Sequence, residues 1–234
     1  MGGTNHLEAW RHKMREMLNK IREPEGISSS KKIGYTTLFC ILGMMMGIIS
    51  KILDTSAINE LPYVLQVLDL GNFLSRLGVW LFFGVMISVY SKSPMRAALN
   101  VLMFFAGMVG SYYYYTVAVA GFFPKSYMMI WVALTILSPV LAFVCWYAKG
   151  KGLVPIILSS AIFMFMTSQT FVFGFWYFDL THPLELLIWI ATILVLYQSP
   201  GQIAKVVMIG MVLFIIVGSQ VPLYYGLSVL LFLN

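Results

Sequence analysis

Apolar positions along this chain follow two patterns. Over the first 26 residues, Leu7, Trp10, Met14, Met17, Leu18 and Ile21 recur at helical spacing between charges and form one stripe. This predicts an amphipathic helix from Asn5 to Glu23, opened by an Asn5/Glu8 capping box and stopped by Pro24 and Gly26. Beyond it the apolar residues run in long blocks with few charges. About 20 such residues in a helix cross a bilayer core. Seven spans are expected: 33–53, 73–91, 97–119, 127–148, 153–178, 184–198 and 203–220, the sixth being short. The expected fold is all-α, a polytopic helical membrane bundle over 27–234 preceded by an interfacial or cytoplasmic amphipathic helix over 1–26.

Two stretches resist this scheme. Residues 58–70 are apolar but carry Glu60, Pro62, Gln66 and Asp69, which suits a helix lying outside the membrane core. Residues 221–234 are too few for another crossing at 1.5 Å per residue. Pro139, inside the fourth span, removes an amide hydrogen and frees the carbonyl of Thr135.

Composition narrows the class. Of 234 residues, 60% are hydrophobic and 10% charged, with mean hydropathy +0.86, which excludes a water-soluble globular enzyme and a disordered chain. Two cysteines cannot form a disulfide framework, and Cys40 and Cys145 read as buried thiols.

Charge then sets an expected orientation. With the N-terminus cytoplasmic, the inner segments hold 12 of the 15 Lys and Arg residues, and the outer side keeps only Lys51, Arg76 and Lys125. Glu8, Glu16, Glu23 and Glu25 fall inside; Asp54, Glu60, Asp69, Asp179 and Glu185 fall outside. A plasma-membrane protein with its C-terminus toward the outer side is expected. The basic residues are split among short segments beside apolar spans, so nucleic-acid binding is not the reading.

After the first span the chain reads as three hairpins, each opening near Trp80, Trp131 or Trp189 and turning near Pro94, Pro155 or Pro200. Their return helices end in Ser111 before Tyr112–Tyr115, Gln169 before Trp176 and Tyr177, and Gln220 before Tyr224. An internal repeat and ordinary hairpin grammar, with aromatic belts and Ser-Pro helix starts, both account for this.

Candidate chemistry is sparse. The chain lacks a GxxxxGK[ST] loop, an H-E-x-x-H pair and a G-x-S-x-G elbow, and no cofactor or metal is expected. No ionisable residue is placed near the bilayer centre, which disfavours a self-powered pump. Amides in apolar spans need partners, so Ser111, Gln169, Trp176, Tyr177, Gln220 and Tyr224 are the candidate ligand-binding set. Asp69, Arg76, Asp179, His182 and Glu185 form a candidate outer charged rim, with His182 or Thr181 capping the sixth span. Trp10, Met14, Leu18, Arg11 and Arg15 form a candidate surface for an anionic inner leaflet or for a cytoplasmic or membrane partner subunit.

Three functions follow in order. The first is a solute-binding or transport subunit for a small amphiphilic ligand, without energy-coupling machinery of its own. The second is a non-transporting membrane interaction protein, serving assembly, immunity or regulation, that works through its N-terminal helix. The third is a lipid-modifying membrane enzyme, weakened by the lack of an acid–base pair at membrane depth.

Overall fold

The computed structural model describes residues 3–119, 121, 124–173 and 177–218. Helix α1 (Gly3–Ile21) is followed by α2 (Ser29–Thr55), a 3-10 turn (Ile58–Glu60), and the short helices α3 (Tyr63–Leu68) and α4 (Leu70–Ser75). Then come α5 (Leu77–Tyr90), α6 (Pro94–Ala118), α7 (Lys125–Trp146) with a 3-10 extension (Tyr147–Lys149), and α8 (Leu153–Thr170). A small antiparallel hairpin, β1 (Phe171–Phe173) and β2 (Phe178–Leu180), leads to α9 (Pro183–Leu196) and α10 (Pro200–Gly218). Among the described residues, five helices are long and apolar enough to cross a membrane: α2, α6, α7 with its extension, α8 and α10. The apolar helices α5 and α9 have 14 residues each, about 21 Å at 1.5 Å per residue, short of a core of about 30 Å.

Several expected boundaries move, each for a local reason. The segment 73–91 is broken at Arg76, whose extended backbone (φ −85°, ψ 152°) hands 73–75 to α4. The segment 153–178 is helical only to Thr170. There the Thr181 amide donates to the Thr170 carbonyl (2.9 Å), and the Thr181 hydroxyl donates to the carbonyls of Gln169 and Thr170 (2.7 and 2.9 Å). These bonds tie off the helix end, and the aromatic and β-branched residues that follow pair as strands. Among the described residues the fold is therefore helical with one strand pair. Helix α1 begins at Gly3, so Asn5 lies inside it and is not its cap. The stretch 58–70 is made of the short turn and α3, and Pro139 is held as the helix requires: the Ser138 hydroxyl donates to the freed Thr135 carbonyl at 2.8 Å. Residues 221–234 and Gln220 lie outside the described residues.

The tightest helix pair is α2 against α6. Gly43 and Gly47 of α2 are four residues apart, and a Cβ at either would collide with the α6 carbonyls of Phe104 or Met108. Reciprocally, a Cβ on Gly107 would lie 2.5 Å from the Cys40 carbonyl. Ser111, four residues after Gly107, donates its hydroxyl to the Met44 carbonyl at 2.9 Å. Small residues on both faces let the backbones touch, a packing mode suited to membranes, where lipid and leucine are equally apolar. Helix α7 packs on the other side of α6, α8 pairs with α10, and α5 stands between these groups, touching α6, α7, α8 and α9. Phe104, Val101 and Trp80 anchor one core cluster; Val89, Phe163, Leu196 and Val206 anchor a second. Exposed apolar side chains such as Leu38, Met45, Ile136, Val140, Met208 and Ile216 line α2, α7 and α10, which forms an apolar exterior rather than a water-facing one.

At one end, here the basic end, the chain after α1 is pinned to the bundle. The Arg22 guanidinium donates to the carbonyl of Trp146 (2.5 Å), at the end of α7, and to that of Val89 (3.0 Å), at the end of α5. It also lies over the Trp146 ring, 4.2 Å from its centroid. A cation placed on helix C-terminal carbonyls meets both their unpaired lone pairs and the negative end of the helix dipole. The Trp146 indole donates to the Ser91 carbonyl (2.7 Å), the Lys151 amide to the Ile21 carbonyl (2.7 Å), and Lys92 pairs with Glu25 (2.7 Å). Leu18 and Ile21 complete the contact against Ala97, Trp146 and Tyr147. Trp10 and Met17, farther up α1, remain more than half exposed. Arg22→Ala should therefore release α1 while α2–α10 stay folded. Hydrogen exchange of residues 14–25 should accelerate at least tenfold with the α6 amides unchanged; equal protection in both proteins would refute the latch.

Candidate functional site

The opposite, aromatic end gathers two polar groups on either side of α4. The first begins with spacing on α2. Lys51 and Asp54 are three residues apart on one helix face, and their side chains pair at 2.7 Å. The Tyr112 hydroxyl, from α6, donates to the same Asp54 oxygen at 3.0 Å, and the Lys51 ammonium lies 5.1 Å from the Tyr112 ring centroid. Lys51 is 3% exposed, whereas the Asp54 side chain is 44% exposed, so the carboxylate faces outward from a buried cation. The α2–α6 interlock places these groups: Gly47 and Ser111 fix the register one turn away.

Beside this trio lies a partly open cleft lined by Ser50, Asp54, Gly71, Leu74 and Ser75, by Trp80, Met108 and Val109, and by the rings of Tyr112, Tyr113, Tyr127 and Trp131. Its free volume is about 40 Å³, room for about two or three waters and far below the 300 Å³ or so that a drug-sized ligand fills. Tyr113 is 6% exposed, and its hydroxyl has no hydrogen-bond partner among the described residues. The Trp80 indole, by contrast, is satisfied by the Leu74 carbonyl at 2.9 Å. An unpaired buried hydroxyl costs about 1–3 kcal/mol, so a polar occupant of the cleft would be rewarded.

The second group lies where α5, α4 and α9 meet. The Arg76 Nε donates to Glu185 Oε1 at 3.2 Å; Glu185 is fully buried, and its Oε2 has no partner among the described residues. Gly78 makes this possible, since a Cβ there would strike the Glu185 carboxylate. His182 caps α9, its Nδ1 accepting from the Leu184 amide at 3.1 Å, and its ring stacks on Phe73 at 5.5 Å. Asp69, near enough to the His182 ring to pull its pKa upward, sits between α3 and α4 in the left-handed region (φ 46°), a conformation that Asp tolerates better than most residues.

Of the five charged-rim candidates, Asp69, Arg76, His182 and Glu185 are thus brought together, while Asp179 is exposed on β2 and accepts from the Leu180 amide (2.8 Å). The ligand-binding candidates fare differently. Ser111 is committed to the α2 backbone, Gln169 is half-buried beside Thr181, and Tyr177 is 61% exposed; none of the three lines the cleft. Trp176, Gln220 and Tyr224 lie outside the described residues. On α1, Met14 and Leu18 are half-buried, and Trp10, Arg11 and Arg15 are exposed. Sequence reasoning missed Lys51, Asp54 and Tyr113 as site residues. The signal available was the i, i+3 Lys/Asp pair at a span end facing a tyrosine run.

No family model matches the chain, nor does any curated protein or solved structure.

Burial holds the His182 imidazole below its ordinary pKa, and nearby Arg76 lowers it further, outweighing the opposing pull of Asp69. The neutral ring is what the cap needs, because a protonated Nδ1 cannot accept from Leu184. A depressed histidine pKa contributes stability that is present above the unfolded value of about 6.5 and is lost as pH falls through the folded value. His182→Ala should therefore cost about 1 kcal/mol at pH 8. The gap to wild type should shrink below pH 6 in thermal denaturation; a gap that widens on acidification would contradict the assignment.

Proposed function

We propose that the protein is a membrane-embedded solute-binding subunit whose site is the aromatic-end cleft. What supports this most is a single juxtaposition: the buried Tyr113 hydroxyl, without a hydrogen-bond partner among the described residues, lines the same cleft as Asp54, within walls made by Trp80, Tyr112, Tyr127 and Trp131. Aromatic walls with a few placed polar groups suit a small amphiphilic ligand. In this reading all seven apolar helices are spans, with α5 and α9 meeting the aromatic end through the shorter structures around them. The basic end is cytoplasmic, following the distribution of Lys and Arg, and the cleft opens outward. The small free volume then describes a closed form that widens to admit its solute.

The chain carries no nucleotide-binding loop, so a transport role would be facilitative or driven by a partner. Helix α1 is the surface for that partner or for the anionic leaflet. Trp10 and Met17 are exposed on it among Arg11, Lys13 and Arg15, while Arg22 ties its far end to α5 and α7. The same feature carries the second reading, a membrane interaction protein without a solute, in which the cleft is only packing.

Native mass spectrometry of the protein released from nanodiscs separates the two. The binding reading expects a copurifying small molecule that is lost in Trp131→Ala with the thermal midpoint lowered by no more than a few degrees. A ligand-free protein whose Trp131→Ala variant differs only in stability would favour the interaction role.

A further inference from the structure

We infer that the cleft takes a primary alkylammonium group, with Asp54 as its counter-ion and the rings of Tyr112, Tyr113 and Trp131 as its cage. The inference rests on the binding reading above and names its ligand class. Three observations carry it. First, Asp54 is the one charged residue lining the cleft among the described residues, and the Lys51 and Tyr112 bonds fall on its Oδ2, so the cleft is offered a carboxylate oxygen. Second, five rings surround it: Trp80, Tyr112, Tyr113, Tyr127 and Trp131. The negative faces of aromatic rings attract ammonium groups, and more strongly where water is excluded. Third, the buried Tyr113 hydroxyl lacks a partner among the described residues and lines the same space, offering an acceptor to an ammonium donor.

The protein already displays the chemistry with a group of its own. The Lys51 ammonium pairs with Asp54 and lies near the Tyr112 ring, held outside the cleft lining. Both the Lys51 and the Tyr112 bonds land on Oδ2, which leaves Oδ1 as the oxygen for an incoming ammonium. The size agrees: a volume of about 40 Å³ accepts an –NH₃⁺ head, which is close to a water in size, but not a bulky quaternary group. An anionic ligand is the opposite choice. It would have to use Lys51, which is buried behind the carboxylate, and would meet Asp54 first.

Two sources share this chemistry, a soluble amine and the head group of an ethanolamine lipid at the membrane surface. The test uses the full-length protein in phosphatidylcholine nanodiscs, with binding read by isothermal calorimetry and folding by thermal denaturation. Butylammonium should bind at least tenfold more tightly than butan-1-ol, its neutral counterpart. Asp54→Asn should remove that preference, and Lys51→Met, which deletes the competing ammonium, should tighten butylammonium several-fold. If the alcohol binds as well as the amine and Trp131→Ala abolishes both, the ammonium assignment falls while the binding site stands. If butyrate binds instead and Lys51→Met abolishes it, the sign of the site is reversed and the proposal is overturned. In a separate arm, phosphatidylethanolamine is added to the nanodiscs in place of the soluble amine. An Asp54-dependent rise in thermal midpoint there identifies the lipid as the source, and a rise with the soluble amine only identifies a free solute. Absence of an Asp54-dependent effect in both arms refutes the proposal.

Discussion

The backbone-to-backbone contact of α2 with α6 is the constraint on which the rest of the aromatic end depends. Gly43, Gly47 and Gly107 leave no room for a methyl group against the opposing carbonyls, and Ser111 adds a hydroxyl bond to Met44. In a membrane, apolar side chains gain little by leaving lipid for protein, so close approach and its dispersion contacts have to supply the association. The contact also sets the register. Asp54 reaches Tyr112, and Tyr113 turns into the cleft, because α6 cannot slide along α2 without driving a carbonyl into a glycine face.

The two ends of the bundle solve the same electrostatic problem in different ways. At the basic end, Arg22 sits on the helix C-terminal carbonyls of Val89 and Trp146, where the dipole favours a cation, while Arg96 is held by the Lys32 carbonyl in the first turn of α2 and by Thr36 and Asn100. At the aromatic end, cations meet carboxylates: Lys51 with Asp54, and Arg76 with Glu185. Pairs of this kind, each with one buried partner, contribute little net stability, yet removing the more exposed partner is costly because it strands the buried charge. They therefore specify geometry more than they stabilise it. Short helix α4 lies between the two acid–base groups, giving Leu74 to the cleft and Phe73 to the His182 ring.

Much of this was legible in the sequence, and the remainder shows where periodicity stops informing. Long apolar blocks located the helices, and the Ser-Pro and His-Pro starts predicted caps that are present: Ser93 accepts from Arg96, Ser199 from Gln202 and His182 from Leu184. The Thr135 carbonyl freed by Pro139 was foreseeable from helix geometry. Ser111 illustrates the limit. A hydroxyl near the end of an apolar span reads equally as a ligand contact or a packing group. The second reading depends on knowing that Gly107, one turn before it, faces the Gly43/Gly47 pair of another helix. The Lys51–Asp54 spacing and the grouping of Arg76 with Glu185 were legible, but the bond from Tyr112 to Asp54 and the pairing of Arg76 with Glu185 in particular join residues far apart in the chain, and the tertiary arrangement reveals them. The hairpin repeat is not confirmed: Ser111 is used for packing on α2 and Gln220 lies outside the described residues.

The central claim is that glycine-limited contact between α2 and α6 builds the cleft. Its most direct measurement is a size series at Gly107, to Ala, Val and Leu, with thermal midpoint and solute binding recorded for each protein in nanodiscs. Overpacking of this kind costs about 1–3 kcal/mol per site. The account predicts a midpoint that falls stepwise with side-chain volume and binding that is lost by the valine step, while α8 and α10 keep wild-type hydrogen-exchange protection. A leucine variant that melts and binds like wild type would contradict it.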